Sequence, residues 1–337
     1  IENREPKQQI EKTEIEVGEP SQTESKDEEP EQTIKEEELP QKKAKRINFQ
    51  WAYDNSEYEI TATLHDSVYN YYSNQPKQYS YTGTKPENWK QEYYNMFLQT
   101  AENDNTFSAL ASKLKEIGEQ NNLTDDQVME LAVAFVQAIP YDHEKANSDM
   151  LEARYPYEVL YEKKGICSGK SFLGALLAKE LGYGVSVFTF EQANHMVIGI
   201  KCPEQHDSYN SGYCYTELTT SGWKIGIEDF DDIENITSPD RVPSVKETPE
   251  VYEIADGKTY RGFIDTLTKK ERIKELGREI NQLEQRINDL KEDLDHYEEI
   301  GDYESYNEVV PAYNDLIELH KEKVKTYNSL IEEFSPQ

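Results

Sequence analysis

The sequence predicts an α+β fold, with helices packed on an antiparallel sheet, preceded by an acidic tether and followed by a helical hairpin. Three observations predict it. Residues 1–46 contain no aromatic residue. Residues 47–265 carry helical periods and then alternating strand periods, the order expected of α+β chains. Residues 266–337 carry a coiled-coil pattern.

The tether comes first. Prolines stand at 6, 20, 30 and 40, and residues 1–40 hold 14 Asp or Glu against 5 Lys or Arg. Such a segment buries too little apolar surface to offset its ordering entropy and is expected to be disordered. The basic run Lys42-Lys43-Ala44-Lys45-Arg46 is short and reads as the solvated end of this linker.

Within the core, residues 47–72 alternate apolar and polar, with Phe49, Trp51 and Tyr53 followed by Tyr58, Ile60, Ala62 and Leu64, which is strand periodicity. Helices are expected around Trp89–Thr100, Phe107–Gln120 and Asp125–Ile139. The last has a start signal in Thr124-Asp125-Asp126 and a stop at Pro140. A further helix follows Cys167, with Phe172, Leu173, Leu176, Leu177 and Leu181 apolar and Gly182 as its C-cap. Strands are then predicted at Val185–Phe188, Met196–Ile200, Tyr213–Tyr215 and Trp223–Ile227.

The hairpin reads from spacing alone. Ile273, Leu276, Ile280, Leu283, Ile287, Leu290, Leu294 and Tyr297 step by alternating threes and fours. After Gly301-Asp302 the pattern resumes at Val310, Tyr313, Ile317, His320, Val324, Tyr327, Ile331 and Phe334. Two matched runs around a turn predict an antiparallel pair, with parallel dimerisation of the first run as the alternative. His320 is expected as a seam histidine rather than a ligand.

Composition limits function. The formal charge is -31 and only 36% of residues are hydrophobic. Nucleic acid is excluded as a default partner, because a phosphate backbone needs a basic face. No run of apolar residues is long enough to span a bilayer. The chain opens on Ile1, which reads as a fragment or processed product whose signal or anchor preceded it. Three cysteines are too few for a disulfide scaffold. Cys202 and Cys214 flank a polar loop between two strands, where they can form a disulfide or remain two buried thiols. The disulfide would leave Cys167 as the free thiol and imply an oxidising compartment.

The chemistry rests on Cys167, His195 and Glu217. Cys167 sits where a loop becomes a helix, so the helix dipole and an adjacent imidazolium would both favour its thiolate. His195 would accept the thiol proton and return it to a leaving amine, while Glu217 orients the ring and stabilises its charged form. The backbone N–H of Cys167 is a natural oxyanion donor, and Gln137 or Tyr141 are candidates for a side-chain donor. His195 has no second histidine or cysteine at ligand spacing, and Cys202 with Cys214 lacks a matching pair, so no metal or other cofactor is expected.

The runs Tyr155-Pro156-Tyr157-Glu158, Gly165-Ile166-Cys167, Asn194-His195-Met196-Val197 and Tyr215-Thr216-Glu217-Leu218-Thr219-Thr220, with Gly222-Trp223-Lys224-Ile225-Gly226, resemble the transglutaminase-like superfamily. Its microbial members are the closest in look. Phe135 to Tyr141 and Trp51-Ala52-Tyr53 resemble lead-in segments of that group. The resemblance spans about residues 48–230 and implies a papain-like Cys-His-acid triad at Cys167, His195 and Glu217. The chain departs from the family in its third member, which is commonly Asp, and in Ile166, Ser168 and Gly169, where many relatives have acidic residues.

Two functions are therefore expected. One is a thiol enzyme acting on amide bonds of a protein or peptide substrate, by hydrolysis in preference to cross-linking. The other is an inactive binding module whose hairpin engages a protein partner. The tether and the Cys202–Cys214 pair point to an extracytoplasmic, membrane-anchored protein.

Overall fold

The computed structural model describes residues 13–16, 43–102, 104–148, 152–228 and 247–332. The chain is mixed α+β with antiparallel pairing in its main sheet and a C-terminal helix pair. Among the described residues it divides into two compact units, one ending at Arg261 and one beginning at Gly262.

Most of the predicted tether also lies outside the described residues. One part does not: β1 (Thr13–Glu16) pairs in parallel with β3 (Ser56–His65). The described part of the basic run, 43–46, is exposed as expected, but it is strand rather than linker, since β2 (Ala44–Tyr53) begins inside it and Lys45 Nζ donates to Tyr161 O at 3.2 Å. β2 and β3 form a hairpin in which Phe49 faces Ile60 and Trp51 faces Tyr58. Asp54 and Asn55, both at positive φ, make its two-residue turn, as the twist of a hairpin favours. Ile47, Phe49, Trp51 and Tyr53 point inward, as the alternation predicts.

That alternation stops earlier than expected. α1 (Asp66–Ser73) replaces the end of the predicted strand. The reason is a change of partner. Tyr157 Oη takes the His65 N–H at 2.8 Å, and beyond it Tyr69 and Tyr72 stack on Tyr161 and Tyr157 of α6 (Pro156–Glu162) at helical rather than strand spacing.

The remaining helices follow their signals. They are α2 (Trp89–Leu98), α3 (Thr106–Gln120), α4 (Asp125–Gln137) and α7 (Cys167–Glu180), while the single turn α5 (His143–Ala146) has no counterpart in the sequence reading. At the start of α4, Thr124 and Gln127 form a reciprocal capping box and Asp125 and Asp126 meet the positive end of the helix. α7 is buried on every side from Gly169 to Ala178, which makes it the central element of the core. Gly182 ends it at φ +87°, in the left-handed region. Gly174 permits close packing: a Cβ there would lie 2.5 Å from Leu218 Cδ1 and 3.3 Å from Ile198 Cδ1.

The main sheet runs β6-β5-β4-β7, every pair antiparallel, with β4 (Val185–Phe190), β5 (His195–Lys201), β6 (Tyr213–Thr216) and β7 (Glu250–Ala255). The predicted strand at Trp223–Ile227 is absent. Gly222 and Gly226 take positive φ, the Gly226 N–H goes to Tyr215 O at 2.7 Å, and Trp223 Nε1 donates to Ile227 O at 2.5 Å, so the segment folds back as turns. The fourth strand is β7, which pairs with β4 and is not anticipated from the sequence.

The second unit contains α8 (Phe263–Ile300) and α9 (Tyr303–Glu332), joined at Gly301 in the left-handed conformation. Ile273, Leu276, Leu283, Ile287 and Leu294 are buried along the seam. His320 is a seam-edge residue whose Nε2 lies 3.2 Å from Glu284 Oε1. Phe334 lies outside the described residues. Among the described residues no helix is long and apolar enough to cross a membrane.

Phe172 of α7 stacks on Phe97 at 4.7 Å and is fully buried. Phe172→Ala is expected to destabilise the core by ~3–5 kcal/mol. Chemical denaturation followed by near-ultraviolet circular dichroism checks this, and a loss below 1 kcal/mol would contradict the central placement of α7.

Candidate functional site

Cys167 opens α7, with Ile166 extended as its N-cap and the thiol half-buried. The first-turn N–H groups of a helix are unpaired and carry its positive end, which favours an anion at this position. The turn before it is tightly fixed. Gly165 bridges Tyr141, through Gly165 N–H to Pro140 O and Asp142 N–H to Gly165 O, both at 3.1 Å.

His195 is the first residue of β5, in register with Phe190 and packed near its ring. Ser171 Oγ donates to Met196 O at 3.0 Å, which ties the histidine strand to the cysteine helix one turn beyond Cys167. His195 Nε2 lies 2.8 Å from Glu217 Oε2, and the Cys167 side chain hydrogen-bonds the ring as well. With Nε2 taken by the carboxylate, Nδ1 is the ring nitrogen left for the thiol. Burial works against the imidazolium, but the hydrogen bonds and charges of Cys167 and Glu217 outweigh it and raise the His195 pKa.

Glu217 is fully buried. It does not lie on β6 as the sequence suggests, but in the turn just after it. There the chain bends so that backbone and side-chain donors converge on the carboxylate. Oε1 accepts from Leu218 N–H at 2.9 Å, Thr219 N–H at 2.7 Å and Thr219 Oγ1 at 2.6 Å, while Oε2 accepts from Tyr215 Oη at 3.0 Å. Burial opposes the carboxylate, yet His195 and the Thr219 donors hold Glu217 well below the usual range.

Of the two side-chain oxyanion candidates, the structure removes Gln137. Its Nε2 donates to Glu217 O at 2.8 Å and Trp223 O at 2.9 Å, and its Oε1 accepts from Gly222 N–H at 3.1 Å. Every polar atom of the buried amide is committed, so it holds the acid-bearing turn and has no donor left for a substrate. Tyr141 stays at the site. Burial together with the Cys167 charge raises its pKa, which keeps its hydroxyl a donor at neutral pH.

Cys202 and Cys214 form a disulfide with Cα atoms 5.7 Å apart. It closes the loop joining β5 to β6, at the end of the two strands away from His195 and Glu217. Cys167 is the free thiol.

Sequence reasoning missed Tyr215, Thr219, Ser171 and Lys170. The hydroxyl-rich run Thr219-Thr220-Ser221 after the acid was a usable signal, since such residues satisfy carboxylates in turns. Lys170 carried no signal, because a lysine inside an apolar helix pattern reads as solvent-facing. Among the described residues no group of His, Cys, Asp and Glu is arranged to hold a metal ion. Comparison of the chain with family models, with curated proteins and with solved structures finds no match.

The ion pair sets a pH signature. Glu217 is depressed, so its contribution is present above its ordinary value of 4.5 and lost as pH falls through the folded value. His195 is raised, so its contribution is present below its ordinary 6.5 and lost as pH rises through the folded value. Removing one partner of a buried pair costs ~3–5 kcal/mol. The stability difference between wild type and Glu217→Gln is therefore expected to be largest between pH 4.5 and 6.5 and to shrink on both sides. Urea midpoints measured across pH check this, and a pH-independent difference would contradict the pair.

Proposed function

We propose that the chain is a thiol enzyme acting on amide bonds, a transglutaminase-like protein with a papain-like triad. The observation that carries the reading is the convergence of Cys167, His195 and Glu217 from a helix start, a strand start and a turn, with the carboxylate 2.8 Å from the imidazole. His195 takes the thiol proton through Nδ1 and the thiolate attacks the amide carbonyl. The oxyanion is met by the Cys167 N–H and the Tyr141 hydroxyl. The imidazolium returns its proton to the leaving amine and a thioester forms. Water or a second amine resolves it. Hydrolysis is favoured because water needs no dedicated site, whereas cross-linking needs one that admits an amine and holds water back. A protein or peptide is the natural substrate.

The disulfide supports an oxidising, extracytoplasmic location. A second reading, a non-catalytic module, is supported by the hairpin, whose helices of 38 and 30 residues the chemistry does not use. Removal of residues 262–337 separates the two: activity retained with assembly lost marks a catalytic core with an adaptor.

Iodoacetamide alkylation of the folded, unreduced protein tests the enzyme reading. Cys167 is expected to react rapidly well below pH 8, and His195→Ala to slow it at pH 6 by at least ~10-fold, since the thiolate fraction falls tenfold per pH unit below an ordinary thiol pKa. Reactivity no greater than that of an unstructured cysteine peptide would defeat it.

A further inference from the structure

Lys170 stands one turn beyond Cys167 on α7 and is 0% exposed. Lysine is almost never fully buried without a charge partner, and among the described residues Lys170 makes no ion pair. Its Nζ instead donates to Gln137 O at 3.1 Å and Ile139 O at 2.6 Å, carbonyls at the end of α4 that lack a helical partner. Both bonds lead to the site. Gln137 holds the backbone of the turn bearing Glu217, and Ile139 is followed by Pro140 and Tyr141, which bridge to Gly165 just before Cys167.

The surroundings are otherwise neutral. Val159 of α6 packs beside the same Gly165 turn that the Lys170 stem touches, and Gln137 faces the amine from α4. The charge that acts on it is the Glu217 carboxylate, which in turn pairs with His195 on β5. Tyr141 lies beside them, with the His143 ring of α5 against it.

We propose that Lys170 is a positioning residue of the Cys167 site: its amine locks the end of α4 to the cysteine helix, and its charge, acting through Glu217, sets how firmly His195 holds its proton. The catalytic consequence rests on the function proposed above; the coupling itself does not. While Lys170 is charged it shares the field of Glu217, so His195 gives up its proton more readily, as a general acid must. When Lys170 is neutral the carboxylate acts on His195 alone. The amine keeps two N–H groups, so both hydrogen bonds survive and only the charge changes. Burial pushes Lys170 down to about 7 against the opposing pull of Glu217, which places this change in the neutral range. The unfolded chain binds more protons between that value and the ordinary 10.5, so Lys170 makes stability rise with pH across this window.

The test is an NMR titration of the His195 imidazole in the full chain labelled at histidine, from pH 5 to 12, with His195→Gln assigning the resonance. Wild type is expected to show a separate inflection near pH 7 that is absent in Lys170→Met and in Lys170→Arg. Lys170→Met is expected to raise the main His195 titration by about one unit, a tenfold gain in proton affinity. The His143→Gln variant removes the other imidazole near Tyr141, and the inflection is expected to persist in it. No inflection in wild type, its loss in His143→Gln, or its survival in Lys170→Met overturns the proposal. If circular dichroism finds both Lys170 variants unfolded, wild type and His143→Gln alone decide. Alkylation of Cys167 in the same samples separates the two readings. An unreactive thiol with the inflection present defeats the enzyme, and a reactive thiol without it defeats only the coupling.

Discussion

The Glu217 carboxylate is the constraint on which the site depends. A fully buried charge is tolerated only when hydrogen bonds and an opposite charge replace its lost water. Here two N–H groups, the hydroxyls of Thr219 and Tyr215, and the His195 ring do so. That requirement explains the geometry around it. The chain must leave β6 at Thr216 to offer its N–H groups to Oε1, and something must hold the bent turn, which is the amide of Gln137. A histidine at the start of β5 then meets the carboxylate, and β5 is fastened to the cysteine helix by Ser171 and Met196.

The same problem recurs across the core. With 67 acidic and 36 basic residues, cations are scarce relative to carboxylates. Tyrosine hydroxyls serve instead. Glu130 accepts from Tyr53 and Tyr260, Asp104 from Tyr72, Asp126 from Tyr183, Asp66 from Tyr161 and Glu253 from Tyr213. Burial raises the pKa of Tyr53, Tyr72, Tyr183 and Tyr260 far above neutrality, so they stay protonated and keep donating. Each such residue also supplies a large apolar ring, which lets a strongly acidic chain build a dense core. Tyr215 at Glu217 is the same device used inside the candidate site.

Much of the fold was legible. The α4 capping box, the heptad pair and the Gly182 stop are local devices, whose partners lie within a few residues or repeat at a fixed period. The sequence order of Cys167, His195 and Glu217 was readable too, because each lies at an element boundary with a period on one side. The failures share a cause. α1 took over the end of a predicted strand because Tyr157, distant in sequence, claims the His65 N–H. Trp223–Ile227 alternates like a strand, but glycines at positive φ and a bond to Tyr215 turn it back. Gln137 looked like a donor to substrate only because the backbone carbonyls it serves are remote in sequence.

The sequence by itself therefore determined most of the helices, the C-terminal helix pair, and the identities of a thiol, an imidazole and a carboxylate, since periodicity and residue chemistry are local. Tertiary structure alone decided which groups satisfy one another. It paired Cys202 with Cys214 where the sequence left two states open, committed Gln137 to the acid turn, and buried Lys170 at the end of α4. Hydrogen-bond satisfaction in a dry interior is a property of positions in space, and no spacing along the chain encodes which distant carbonyl a buried donor will find.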